Sequence, residues 1–257
     1  MALITFMSDF GENDHYVSAV KAKILSINPE IHIVDISHNI NPFDISHGSF
    51  VLKSVFREFP AGTIHLVSVN TIDSETDNYI VAMIEGHYFI GADNGLFSLI
   101  SEQDPEILVK LRNPDIGLTV FPSRDIMARS AAMLAGGTLI SDLGQATTEY
   151  KKLLGRQLKA TKKQIAGNII RVDHFGNLIT NIDQEIFSIL QKEREFIVKF
   201  GREGIRSIHT SYASVDPGEC FVVFNSLGLL EIGINKGNAS ELMGLGFDSP
   251  VIINFLE

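Results

Sequence analysis

The sequence is short of the features that mark several large classes of protein. It holds one cysteine, Cys220, in 257 residues, so an internal disulfide is excluded. Cys220 lies in the apolar run CFVVF, where a thiol packs as a small hydrophobe, and it is given no chemical role. No apolar run approaches the roughly 20 residues that cross a bilayer, and the opening MALITFMSDFG lacks the basic flank and long apolar stretch of a secretory signal. A cytoplasmic protein with no membrane partner is expected. Basic charge is scarce: 21 lysines and arginines against 31 acids leave a formal net charge of -10, which repels phosphodiester backbones. The densest basic stretch, KKLLGRQLKATKK, is short and has no interleaved aromatics, so nucleic acid is not an expected partner. There is no G-x-x-x-x-G-K-[ST] loop and no G-x-G-x-x-G fingerprint, which argues against a triphosphate or a dinucleotide. The eight histidines form no H-E-x-x-H motif and no Cys/His cluster, so no metal site and no cofactor are expected.

What is present is an alternation of strand and helix patterns. ALITFM reads as a buried strand, and in the following DHYVSAVKAKILSINP the residues Val17, Val20 and Ile24 share a helical face before Pro29. IHIVDIS and TIHLVSV are further strands, ISHGSFVLKSVFREF and SRDIMARSAAMLAGG further helices, and YIVAMIE with YFIGA a hairpin. This order predicts a Rossmann-like, mainly parallel sheet with helices on both faces. Residues from about 142 to 164 are polar and basic. After them come short strand-like runs, GNIIRV, EFIVKF, ECFVVF, LLEIGI and PVIINF. We therefore expect an N-terminal α/β domain over 1–155 and a smaller all-β, barrel-like domain over 160–257.

Polar clusters follow several predicted strands: SDFG, ISHNINPFD, NTIDSETDN and GADNGLFS. Ligands of open parallel sheets bind outside the carboxyl ends of the strands, so these clusters can converge on one pocket. Asp9 is the best placed group. A carboxylate after the first strand can accept both hydroxyls of a ribose; it can equally cap the next helix or hold a turn. A second polar run, DHFGNLITNI, places an acid and several amide or hydroxyl side chains where strand residues surround it.

The ordered blocks TFMSDFGENDHYV, IVDISHNINPFD, PAGTIHLVSV, GADNGLFSLI, VDHFGNLITNI and FNSLGLLEIGINKGNAS resemble the S-adenosylmethionine hydroxide adenosyltransferases, relatives of the fluorinase and chlorinase. The resemblance implies a substrate, S-adenosylmethionine, and a reaction in which a small nucleophile attacks the ribose 5′ carbon and releases L-methionine. Water gives adenosine. It also implies a homotrimer with active sites between one subunit's first domain and its neighbour's second. Residue by residue, it assigns Asp9 to the ribose hydroxyls, Phe43 to packing on the nucleoside, and Asp173 to the methionine ammonium. Phe175 becomes an apolar wall, Asn177 an amide facing the adenine, Tyr212 a ring packed on the purine, Ser226 a hydroxyl for the methionine carboxylate, and Asn235 a group near the adenine edge. The same chemistry explains the polar run: a zwitterionic amino acid joined to adenosine needs an acid for its ammonium and amides for its base.

The sequence departs from the hydrolases of this family at the water-activating set of Asp, Arg and His. Asn70 stands at the acid's place, Asp77 near the arginine's, and Pro122 replaces the histidine. Asn is no base, and Pro offers only its carbonyl. Three readings follow. Hydrolysis can proceed with a substituted set drawn from Asp73, Glu75 and Ser123, with Asn70 kept for binding. A halide can be the nucleophile, which the acids Asp73, Glu75 and Asp77 oppose. Or the protein binds S-adenosylmethionine or adenosine without turnover. Ser123 has a competing role as the cap of the helix after Pro122, and Asp125 fits the positive end of that helix.

Overall fold

The structure, a computed structural model, describes residues 2–72, 78–112 and 119–256. The chain divides into two compact units, Met1–Leu154 and Gly155–Glu257. The first contains β1 (Leu3–Ser8), α1 (Tyr16–Ile27), β2 (His32–Ser37), α2 (Ile45–Val55), β3 (Ile64–Ser68), β4 (Tyr79–Ile84), β5 (His87–Ala92), α3 (Phe97–Ile100), β6 (Ile107–Leu111), α4 (Ala128–Ala135) and β7 (Gly144–Ala146). Its strands form one sheet in the order β2-β1-β3-β5-β4-β6-β7. Strands β2, β1, β3 and β5 are mutually parallel. The β4–β5 hairpin reverses the chain, β6 runs antiparallel to β4 and so again along β1, and β7 closes the edge. The sheet is mixed and mostly parallel, as the alternating pattern predicts.

Two-residue periodicity decides where each strand side chain goes. Ile4 and Phe6 of β1 and Leu66 of β3 pack with Val20 and Ile24 of α1 and with Ala128 and Ala131 of α4. Met7 and Val67, on the opposite face, pack with Leu52 of α2 and Phe97 of α3. Helices therefore cover both faces. Helix α2 starts at Asp44, whose carboxylate accepts a 2.9 Å bond from the His47 N–H; such a cap is worth about 1 kcal/mol. Helix α1 stops at Ile27, because the residue before Pro29 disfavours helical geometry.

The second unit contains β8 (Lys159–Ala160), β9 (Gln164–Val172), β10 (Leu178–Asp183), α5 (Gln184–Gln191), β11 (Phe196–Phe200), β12 (Glu203–Ile205), β13 (Cys220–Phe224), β14 (Leu229–Ile234), α6 (Ala239–Met243) and β15 (Pro250–Phe255). Its eight strands run β12-β11-β15-β9-β10-β14-β13, with β8 on β9. All pair antiparallel in a nearly closed barrel around Ile169, Leu178, Val198, Ile232 and Ile253. Two short helices interrupt a unit whose sequence shows little helical periodicity. One is set by a single side chain: Asp183 ends β10 and caps α5 by accepting from the Ile186 N–H at 2.7 Å.

Among the described residues, no helix is long and apolar enough to cross a membrane.

Candidate functional site

In the first unit, Asp9 emerges at the carboxyl end of β1, with β2 and β3 on either side. Its N–H donates to the Ser68 carbonyl at 3.2 Å, which extends the β1–β3 pairing by one residue. One carboxylate oxygen, Oδ2, accepts from the N–H of Phe43 at 2.9 Å and of Asn70 at 3.1 Å. Both donors are left-handed, at φ 64° and 48°, a conformation uncommon for any residue but glycine and an outlier for a bulky one. Asp9 thus pins two loops with one oxygen. The other, Oδ1, has no protein hydrogen bond among the described residues. Asp9 does not cap α1, whose first turn follows His15 without a side-chain bond. Phe43, whose N–H Asp9 holds, is 74% exposed.

Asn94, from the GADNGLFS cluster, fixes the second loop. Its amide donates to the carbonyls of Val69 at 2.9 Å and Asn70 at 3.1 Å, while its oxygen accepts from the Leu96 N–H. The sequence pointed to this cluster but not to Asn94.

Ser123 opens a single π-helical turn, Ser123–Met127, that runs into α4. It caps nothing. Its side chain is fully buried, and its Oγ has no partner among the described residues. Such turns recur at functional sites because the widened backbone re-aims a side chain. Asp125 is taken up by hydrogen bonds from Arg124 and Thr119; the Arg124 bond chiefly holds its pKa below the usual carboxylate value. Asp73, Glu75 and Asp77 lie outside the described residues.

A buried polar group also occupies the carboxyl ends of β1 and β3. Ser8 and Ser68 are directly paired across the strands, and both are fully buried. Ser8 Oγ is 2.8 Å from His38 Nδ1. His38 Nε2 lies 3.1 Å from Asp35 Oδ1, an ion-pair distance without hydrogen-bond alignment. Asp35 in turn takes a 2.5 Å bond from Lys21. Burial acts to raise the Asp35 pKa, but the hydrogen bond from Lys21 and the nearby His38 ring outweigh it and hold the carboxyl low.

In the second unit, a depression of about 520 Å³ is lined by Asp173, Phe175, Asn177, Tyr212 and Asn235, among others. The structure therefore brings together the five residues drawn from three separate sequence blocks. Ser226 is not in this lining. It sits exposed in the β13–β14 turn, while Asn235 follows the far end of β14.

Asp173 does local work as well. Its Oδ1 accepts from the N–H groups of Phe175 at 2.9 Å and Asn177 at 2.8 Å, and its Oδ2 from the Asn177 side chain at 3.1 Å. A carboxylate has about four acceptor sites, so about one remains, on Oδ2. Gly176 completes the turn at φ 84°; a Cβ there would stand 2.0 Å from Asn238 Oδ1. Beneath lies Glu231, 3% exposed, an acid that sequence reading passed over inside LLEIGI. Burial raises its pKa and the Asp173 charge adds to this, opposed by hydrogen bonds from Asn225, Tyr212 and Asn177. Burial also raises the Tyr212 pKa, with the Glu231 charge contributing. Glu231 therefore ties an amide and a ring of the depression to the barrel.

The fold is that of a two-unit protein: an α/β unit with a carboxylate at its strand ends, and a barrel with an acid-and-amide depression. The chain belongs to the S-adenosylmethionine hydroxide adenosyltransferase family. Residues 4–144 match the family's N-terminal domain, SAM hydroxide adenosyltransferase N-terminal domain, and residues 167–252 its C-terminal domain. It is 30% identical to the (R)-S-adenosyl-L-methionine hydrolase of Methanocaldococcus jannaschii over 95% of this chain and 93% of that one. The fluorinase of an Actinoplanes species is 28% identical over 70% of this chain and 71% of its own. A crystal structure of an uncharacterized conserved protein from Thermotoga maritima superposes with a TM-score of 0.89 at 30% identity, covering 97% and 99% of the two chains.

Proposed function

We propose that the chain hydrolyses S-adenosyl-L-methionine to adenosine and L-methionine. Water attacks the ribose 5′ carbon, the bond from that carbon to sulfur breaks, and the electron pair leaves with the methionine thioether. The observation that carries this reading is Asp9, fixed at the carboxyl end of the sheet by two loop N–H groups with its second oxygen open. That oxygen meets the ribose diol, and Phe43 packs on the nucleoside. In the barrel, Asp173 takes the ammonium, Asn177, Tyr212 and Asn235 receive the adenine, and Phe175 walls the cleft; Ser226, which the resemblance assigns to the carboxylate, lies outside the depression. Sulfonium is a good leaving group, so in-line positioning, worth up to ~7 to 11 kcal/mol, supplies much of the acceleration. Asp73, Glu75 and Ser123 are the groups nearest in sequence to the place of the family's water-activating set. The proposal includes a cytoplasmic homotrimer whose sites are completed by the neighbouring subunit, with no cofactor beyond the substrate.

A second reading, a non-catalytic binder of the same ligand, is favoured by Asn70 and Pro122 at two of the three water-activating places. Incubation with the R and S sulfonium epimers, followed by chromatography, separates the readings. Adenosine carrying oxygen from labelled water supports hydrolysis, and chlorodeoxyadenosine formed in chloride replaces it with halogenation. Binding without turnover leaves a binder. If adenosine forms, Asp73→Asn slows it; an unchanged rate removes Asp73 from the mechanism.

A further inference from the structure

The hydrolysis proposed above releases one proton per turnover, and the family's base is replaced by Asn70. A path for that proton is built into the first unit. Ser8 and Ser68 stand side by side at the last paired position of β1 and β3. Side chains alternate along a strand, so both lie on the face of Phe6 and Leu66. That face is covered by α4 and by Ile126 and Met127 of the π-helical turn that Ser123 opens. Ser68 Oγ, Ser123 Oγ and His38 Nε2 are buried without a hydrogen-bond partner among the described residues. A buried hydroxyl left unsatisfied costs about 1 to 3 kcal/mol, so the two hydroxyls favour a polar guest. From Ser8 the contacts run outward: 2.8 Å to His38 Nδ1, then 3.1 Å from His38 Nε2 to Asp35 Oδ1. Asp35 is on the edge strand β2, its side chain 42% exposed and paired with Lys21 of α1. The inner end is dry, and the outer end is wet.

We infer that Ser8, His38 and Asp35 form a proton relay that carries the nucleophile's proton from the buried strand ends to solvent. As the water oxygen bonds to the 5′ carbon and sulfur departs, the water proton passes to Ser8 Oγ while Ser8 gives its own to His38 Nδ1. The imidazolium turns its Nε2–H onto Asp35 Oδ1, which at rest stands 3.1 Å away and out of hydrogen-bond alignment, and gives up that proton to Asp35, which exchanges it with solvent. No oxidant, metal or second substrate enters the balance. Ser68 and Ser123 hold the water at the inner end.

The relay rests on the hydrolase reading, and the test keeps the two apart. Wild type, His38→Asn, Asp35→Asn and Asp35→Glu are compared for adenosine formation, KM, thermal unfolding and binding of adenosine. A positioned proton acceptor contributes about a hundredfold or more, so His38→Asn lowers kcat by about that factor. Asp35→Asn lowers it by about tenfold, with KM and adenosine binding unchanged, and Asp35→Glu recovers most of the rate. Asp35 is half-exposed and remote from the ligand, so a purely structural role moves the melting temperature and leaves kcat alone. Wild-type turnover with unaltered kcat in Asp35→Asn and His38→Asn overturns the relay and spares the hydrolase. Absence of turnover in the wild type overturns both.

Discussion

Lowering the pH from 7 to 5 should weaken the first unit through one buried histidine. His65, on β3, is fully buried. Its Nδ1 is 2.7 Å from Thr5 Oγ1, its Nε2 is 3.2 Å from His87 Nδ1, and its ring stacks on Phe89 at 4.9 Å. Burial lowers its pKa to about 3, with the neighbouring His87 adding to the shift. The folded value lies below the ordinary value of 6.5, so the histidine's contribution to stability is complete above pH 6.5 and is lost as the pH falls toward 3. Linkage between those two values gives a loss of about 2 kcal/mol from pH 7 to pH 5. His87 shifts in the same direction, chiefly through burial, and steepens the slope. Urea unfolding at the two pH values, followed by a probe of the first unit, measures the loss. In His65→Gln the loss should shrink by about that amount, since the titrating group is gone. If wild type and variant fall equally between pH 7 and pH 5, the buried neutral histidine is not the cause.

Two further outcomes follow from the polar sites. Asp9→Ala removes a charged acceptor from the nucleoside; by calorimetry adenosine should bind about 2 kcal/mol, or roughly thirtyfold, more weakly, and undiminished binding discredits the assigned pose. Gly176→Ala combines a positive φ with a Cβ 2.0 Å from Asn238 Oδ1, and should lower the unfolding free energy of the barrel by about 1 to 3 kcal/mol. A melting temperature unchanged by that substitution would mean that the turn relaxes freely.

Much of the fold was legible because burial writes itself as periodicity. The alternation in ALITFM and TIHLVSV, the Val20 and Ile24 face of α1, and the YIVAMIE–YFIGA hairpin each became the element they suggested. Helix α5 was harder to read, since eight residues are about two turns, and its start is fixed by the Asp183 cap rather than by pattern. The site residues were legible in part. Asp173, Phe175, Asn177, Tyr212 and Asn235, singled out in the sequence, line one depression. Glu231 was not foreseen, because a single acid in an apolar strand gives no local sign of which buried amide or ring it holds. The Ser8–His38–Asp35 contacts join residues up to 30 positions apart, and only the parallel pairing of β1 with β2 brings them into reach. Ser123 was open between a catalytic group and a helix cap; it makes no cap bond, and the π-helical turn carries its hydroxyl inward.

The left-handed backbone at Phe43 and Asn70 has a kinetic consequence. Both loops are already clamped in their working shape by Asp9 before any guest arrives. Ordering is thus completed during folding rather than at each encounter, which under the proposed function lowers the cost of seating a nucleoside against these loops.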